Sequence, residues 1–303
     1  MTDRRSRIAL LAAFLAVAAW LPAAAQVAVE GAKGKAPPVM ASIPPVHSLL
    51  SGVMAGVGRP ALLVPGGRSP HDFALKPSGA RALSQARAVF WIGPGLEGFL
   101  ARPLQALARN AFSVPLAGAE GVETRPLAGG AGTDPHVWLD PVNAAAMVRM
   151  MVIVMANVDP DNLVGYRRNG AGVLAGLGAL EAELHRTLRP VAAVPFLVFH
   201  DAYGYFIRRF GLASAGAVAV DGDRPPGARR LARLRRMIEE RHIACVFTEP
   251  QFRPALAATL TEGTRARIAV LDPLGAGLEP GPGLYGALMR GLVESLVACL
   301  GRG

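Results

Sequence analysis

The apolar residues of this chain come in short unbroken runs, and that pattern limits the fold more than any other feature. Val39–Ile43, Ala61–Val64, Ala88–Ile92, Phe196–His200, Ala217–Val220, Ala244–Thr248 and Arg267–Leu271 are mostly apolar, with little polar alternation. A strand with one wet face alternates; an unbroken run suits a strand covered on both faces. The stretches between the runs are long enough for the helical crossovers that parallel strands need. The pattern predicts an α/β fold built on mostly parallel sheets flanked by helices.

One stretch has no strand signal. Between Asp159-Pro160 and Arg189-Pro190, Leu177, Leu180, Leu184 and Leu188 repeat as one apolar helical stripe. Asp159 is placed to cap this helix, Pro160 suits its first turn, and Pro190 follows its end. Gly170, Gly172, Gly176 and Gly178 oppose it by about 1 kcal/mol each where exposed. A helix of this length would run about 40 Å at 1.5 Å per residue. It divides the strand-bearing chain into similar halves. The expectation is an N-terminal lobe over 38–158, a rigid linking helix over 159–189 and a C-terminal lobe over 190–303. Residues 117–134 are rich in Gly and Ala and read as an exposed loop. No repeat relates the halves residue by residue.

The N-terminus reads as a secretory signal over residues 1–25. Arg4, Arg5 and Arg7 precede the uncharged run Ile8–Leu21, and Ala23-Ala24-Ala25 offers a cleavage site before Gln26. That run is short of the ~20 residues a spanning helix needs. Losing Arg4, Arg5, Arg7 and Asp3 takes the formal charge from +10 to +8. Residues 26–37 read as a flexible mature end. Ala144–Val158 carries Arg149 and reads as a core helix, so the mature chain is expected to be soluble, exported and without stable membrane insertion. Arg229–Arg241 is strongly basic, with Leu231, Leu234 and Ile238 on one face. It reads as an amphipathic helix with a solvated charged face, the alternative being docking to an anionic surface. Few aromatics accompany it and export argues against nucleic acid.

Six histidines are present. His71, His136 and His200 lie at strand ends or loops, where open α/β sheets place ligands. Each has a nearby Asp (Asp72, Asp134, Asp201) able to orient an imidazole, and neutral imidazoles suit zinc. Spacing alone does not join them, and each read singly is equally a loop histidine satisfied by backbone or water. His47, His185 and His242 read as surface residues. Glu249 and Asp272 follow strand ends, as site carboxylates or as helix caps or loop hydrogen-bond acceptors. Cys245 and Cys299 are the only cysteines, and an exported chain with an even count invites one disulfide; the alternative is Cys245 as a small buried hydrophobe. No nucleophile elbow, zinc-protease helix, phosphate loop or dinucleotide fingerprint is present.

Taken in order, several stretches resemble the periplasmic zinc-binding component of ABC-type zinc importers. They are His71-Asp72-Phe73-Ala74-Leu75-Lys76-Pro77-Ser78, His136-Val137-Trp138-Leu139-Asp140-Pro141, Val198–Phe206, Cys245–Pro254 and Leu271-Asp272-Pro273-Leu274-Gly275. The resemblance runs from Ala41 to Cys299. It implies two α/β lobes joined by a rigid helix, with Zn²⁺ held between them by His71, His136 and His200, and a Cys245–Cys299 disulfide. Manganese-binding relatives carry a carboxylate where His200 stands, and three imidazoles favour zinc. Relatives often carry Glu before the first histidine; here Pro70 stands there, so the fourth ligand is expected to be Asp272 or water. Residues 117–134 hold no His, unlike the metal-collecting loop of many relatives. The implied function is periplasmic capture of Zn²⁺ and delivery to a membrane permease with a cytoplasmic ATPase, by a monomer that is not an enzyme. The alternatives are a manganese or broad-specificity importer component and, from another class, a periplasmic zinc hydrolase, for which Asp201 or Glu249 would be the base.

Overall fold

The computed structural model describes residues 36–127, 132–219, 227–251 and 255–301. The expected signal segment, nearly all of 26–37, the middle of the 117–134 loop and Val220 lie outside the described residues.

The first half runs β1 (Val39–Ala41), α1 (Pro44–Val53), β2 (Ala61–Leu62), α2 (Pro77–Gln85), β3 (Ala88–Trp91), α3 (Ala101–Leu107), β4 (Phe112–Pro115) and α4 (Pro141–Val158). The long helix α5 (Leu163–Leu188) follows. The second half runs β5 (Phe196–His200), α6 (Gly204–Phe210), β6 (Ser214–Ala219), α7 (Ala228–Glu240), β7 (Cys245–Thr248), α8 (Ala255–Thr261), β8 (Arg267–Val270) and α9 (Leu284–Leu300). The two four-stranded sheets have orders β2-β1-β3-β4 and β6-β5-β7-β8, and every pairing is parallel. Both lobes thus wind in the same order, second, first, third, fourth. A topological repeat exists where no residue-level repeat is visible.

In the central strands β1, β3, β5 and β7 the unbroken apolar runs have the cause the sequence implies. The edge strands β2 and β8 are not covered on both faces, and β8 leaves Ile268 and Val270 exposed. In β3, Ala88 and Phe90 enter a central core while Val89 and Trp91 enter an outer one. In β7, Cys245 and Phe247 point inward and Val246 outward. The central core is continuous from Val39 to Leu300 and takes in α1, α4, α5 and α9, so the lobes share one interior. The strand β4 was not foreseen. It is an edge strand, only Val114 of its four residues is buried, and Ser113 and Pro115 break any apolar run.

α4 has the length and composition of a membrane span. Ala144, Met147, Val148, Met151 and Met155 are nevertheless buried in the shared core, and Arg149 is exposed. In α5, all four leucines of the stripe are buried. Its start differs from expectation. Pro160–Asn162 form a 3-10 turn, and the Asp159 side chain caps no backbone N–H. Asp159 Oδ2 instead accepts from Asn162 Nδ2 (2.9 Å) and Tyr166 OH (2.6 Å). Gly170 sits where a Cβ would collide with Val152 of α4, so it permits the close approach of the two helices.

Cys245 and Cys299 form a disulfide (S–S 2.01 Å) tying the start of β7 to the end of α9. In α7, Leu234 and Ile238 are buried and Arg229, Arg233 and Arg236 are exposed. Arg230 and Arg235 instead donate to backbone carbonyls of Ala217, Val218, Thr259 and Glu262.

Candidate metal site

Loops at the carboxyl ends of the strands bring three imidazoles together, the place where sheets of this winding hold ligands. His71 lies between β2 and α2. Gly67 takes a positive φ of 79° in that loop, and the His71 N–H donates to Ser69 Oγ (3.3 Å). His136 follows β4 and opens a short 3-10 turn, Val137–Leu139. His200 is the last residue of β5, in the second lobe. One ring nitrogen from each lies within 4.8 Å of the other two; His136 and His200 are buried and His71 is exposed.

Carboxylates orient the two buried rings. Asp134 Oδ1 accepts from both the N–H (3.0 Å) and the Nδ1 (2.8 Å) of His136. Glu249 Oε1, just beyond β7, lies 2.6 Å from His200 Nδ1. An ionised carboxylate can only accept, so each Nδ1 carries the proton and each Nε2 turns its lone pair forward. The two Nε2 atoms face each other at 3.3 Å. With both rings neutral, two acceptors at that distance repel, and either a proton on one ring or a metal cation between them relieves it. Tetrahedral zinc with Zn–N near 2.0–2.1 Å places neighbouring nitrogens about 3.3 Å apart.

The pKa values of the two histidines are shifted in opposite directions. Burial lowers the pKa of His136, against the pull of Asp134. Burial also pulls His200 down, but the charge and hydrogen bond of Glu249, with the charges of Asp201 and Asp134, outweigh it and leave its pKa raised. The cavity at the trio measures about 20 Å³, room for one ion or one water. Pro70, Leu96, Trp138, Pro273 and Leu274 supply apolar wall.

Asp272 is not part of the cluster. Its Oδ1 accepts the N–H groups of Leu274 (3.0 Å) and Gly275 (2.9 Å), and its Oδ2 that of Ala276 (2.5 Å). It closes the turn after β8, the loop hydrogen-bonding role weighed for it above. Gln251 lines the cavity, points Nε2 at Asp272 Oδ1 (3.4 Å) and keeps its buried Oε1 without a partner among the described residues. Glu249, rather than the adjacent Asp201, holds His200. His185 and His242 are exposed as expected. His47 is not: it is buried, its Nε2 meets the Pro60 carbonyl oxygen (3.1 Å), and burial lowers its pKa.

Two like-wound α/β lobes closing over converging imidazoles are the architecture of a bilobal solute-binding protein. Comparison with known proteins narrows the class. The chain belongs to the zinc-uptake complex component A periplasmic family, ZnuA, whose model matches residues 39–299. The high-affinity zinc uptake system protein ZnuA of Brucella suis is 37% identical over 306 residues, covering 87% of this chain and 92% of that protein. Its namesake in Paracoccus denitrificans is 36% identical over 316 residues, covering 93% and 97%. A solved structure of a zinc-bound ZnuA deletion mutant superposes with a TM-score of 0.78 at 29% identity, covering 88% of this chain and 98% of that one.

Proposed function

We propose that this chain captures Zn²⁺ outside the cytoplasm through His71, His136 and His200 and hands it to a membrane permease driven by a cytoplasmic ATPase. One observation carries the reading. Two Nε2 atoms from different lobes stand 3.3 Å apart, each backed by a carboxylate, at a cavity sized for one ion. His71 comes from the exposed loop and completes the trio. A water takes the fourth position, since Asp272 spends both oxygens on backbone N–H groups. The buried Gln251 Oε1 is the acceptor such a water needs.

The family supports an exported protein, and residues 1–25 are its cleaved signal in this reading, with the lobes meeting zinc as a monomer in the periplasm. Imidazole nitrogen favours zinc over manganese, which prefers oxygen donors. The Glu249 carboxylate is committed to His200, which leaves it no role as a hydrolytic base. The test is a chelator-competition titration of the metal-free mature protein with Zn²⁺ and then Mn²⁺. One tight zinc site per chain, lost in His136→Ala and in His200→Ala, is the expected result. Equal manganese binding would overturn the selectivity, and tight zinc binding that survives both substitutions would overturn the ligand set.

A further inference from the structure

His136 is a first-lobe residue, yet what holds it reaches into the second lobe. Asp134 divides its oxygens: Oδ1 serves His136, and Oδ2 lies 3.3 Å from Arg125 Nη1. The Asp134 side chain is 2% exposed and that of Arg125 is 30% exposed. The backbone repeats the link, as the Asp134 N–H donates to the Arg125 carbonyl (2.9 Å). Pro126 and Thr133 bridge just beyond, so the pairing of Arg125 with Asp134 continues one residue further.

That pairing rests on α6 of the other lobe. The Tyr205 hydroxyl accepts the Arg125 N–H (3.1 Å) and donates to the Asp134 carbonyl (2.7 Å). The guanidinium lies 5.8 Å from the centre of the Tyr205 ring, in cation–π range. The preceding residue is Gly204, and a Cβ there would fall on Arg125 Nη1. The guanidinium therefore fills a slot that only glycine leaves open.

We propose that Arg125 is a positioning residue for zinc, seated in the Gly204 slot of the opposite lobe and holding Asp134 behind His136. The inference rests on the zinc reading above. Without the guanidinium, Asp134 Oδ2 loses its charged partner, the carboxylate is free to turn, and His136 Nε2 loses its fixed aim. Partners that orient metal-bound imidazoles typically matter 10–100-fold in metal affinity. The seat also makes a second-lobe backbone position part of the support of a first-lobe ligand.

Arg125→Ala removes the guanidinium. Gly204→Ala keeps its charge and displaces it. Three readouts apply to each variant: zinc affinity and dissociation rate by chelator competition, the visible absorption of the Co²⁺ form as a report on ligand geometry, and the thermal midpoint of the metal-free protein. We expect each variant to bind zinc roughly tenfold more weakly, mainly through faster dissociation, with altered Co²⁺ bands. The double variant should be no weaker than the weaker single one, because both act on one contact. Should Gly204→Ala fail to fold, Arg125→Ala and Arg125→Gln still decide. An Arg125→Ala protein within twofold of the parent in affinity, with an unchanged Co²⁺ spectrum, would overturn the proposal, whatever its thermal midpoint. A parent protein with no tight zinc site would overturn the zinc reading itself, which is a different result.

Discussion

At the scale of single residues, His200 is where proton and metal compete most directly. Zinc needs the Nε2 lone pair, so a protonated His200 cannot bind it. Glu249 raises the pKa of His200 above the ordinary value of 6.5 despite burial. Zinc affinity should therefore begin to fall above that pH as the medium is acidified, and continue falling as His200 gains its proton. Glu249→Gln removes the largest charge that raises His200, so burial weighs more against the remaining charges of Asp201 and Asp134 and the pKa falls. The variant should bind zinc about 10–100-fold more weakly at pH 8, with its acid decline displaced to lower pH. Chelator competition from pH 8 to 5.5 checks both; curves of identical shape would place the titration on another group. The histidines themselves were legible, because their neighbours and order mark them. Their support was not. Glu249 lies 49 positions beyond His200 and meets it only because β5 and β7 are sheet neighbours. His47, after Pro44-Pro45, looked like an exposed helix start, and only the packing of α1 shows it buried against Pro60.

At the scale of elements, α5 separates glycines that pack from glycines that do not. A Cβ at Gly172, Gly176 or Gly178 would meet nothing within 4 Å, and all three positions are exposed. Each change to Ala should stabilise by up to about 1 kcal/mol, since Ala loses less backbone freedom in a helix. Gly170→Ala has the same propensity gain but must push aside Val152, a stiff β-branched side chain. Overpacking of that kind costs about 1–3 kcal/mol, so this variant should be less stable than the parent. Denaturant midpoints of the four variants test the contrast, and zinc affinity should stay unchanged in the three open-position ones. A Gly170→Ala protein as stable as Gly172→Ala would show that α4 yields easily. The disulfide is testable at this scale too. Cys245→Ala with Cys299→Ala should cost about 4 kcal/mol by the chain-entropy model for a loop of this length, read as a lower midpoint in the same assay. The leucine stripe made α5 legible because a long amphipathic helix repeats its signal many times. β4 was not legible because an edge strand of four residues with one buried side chain carries almost none.

At the scale of the molecule, the question is how independent two lobes with the same winding are. The sequence suggests two lobes joined by one helix, and the sheets agree, since no strand pairs across them. The side chains do not. The shared core runs through both lobes. Trp138 Nε1 of the first donates to the Pro273 carbonyl of the second (2.8 Å), and Tyr285 OH returns a bond to the Trp138 carbonyl (2.8 Å). The shared winding left no residue-level trace because a sheet order needs only apolar strands and adequate crossovers, while the residues joining the lobes differ. Metal-free protein should accordingly unfold in one cooperative transition, with calorimetric and van't Hoff enthalpies equal. Arg209 tests the coupling. From α6 it grips Asp140 with both Nε (2.8 Å) and Nη2 (2.9 Å), at the point where Asp140 also caps α4 by accepting the Val142 N–H (2.9 Å). Asp140 is buried, so Arg209→Ala leaves its Oδ2 without a charged donor. An unsatisfied buried group of this kind costs about 1–3 kcal/mol or more. The midpoint should fall while the transition stays single, because the core still joins the lobes. Hydrogen exchange should quicken at the start of α4 and along α6 together. Two separate transitions in the parent would mean that the lobes fold independently across α5, and that the imidazoles of the two lobes are held in register by the metal rather than by the protein.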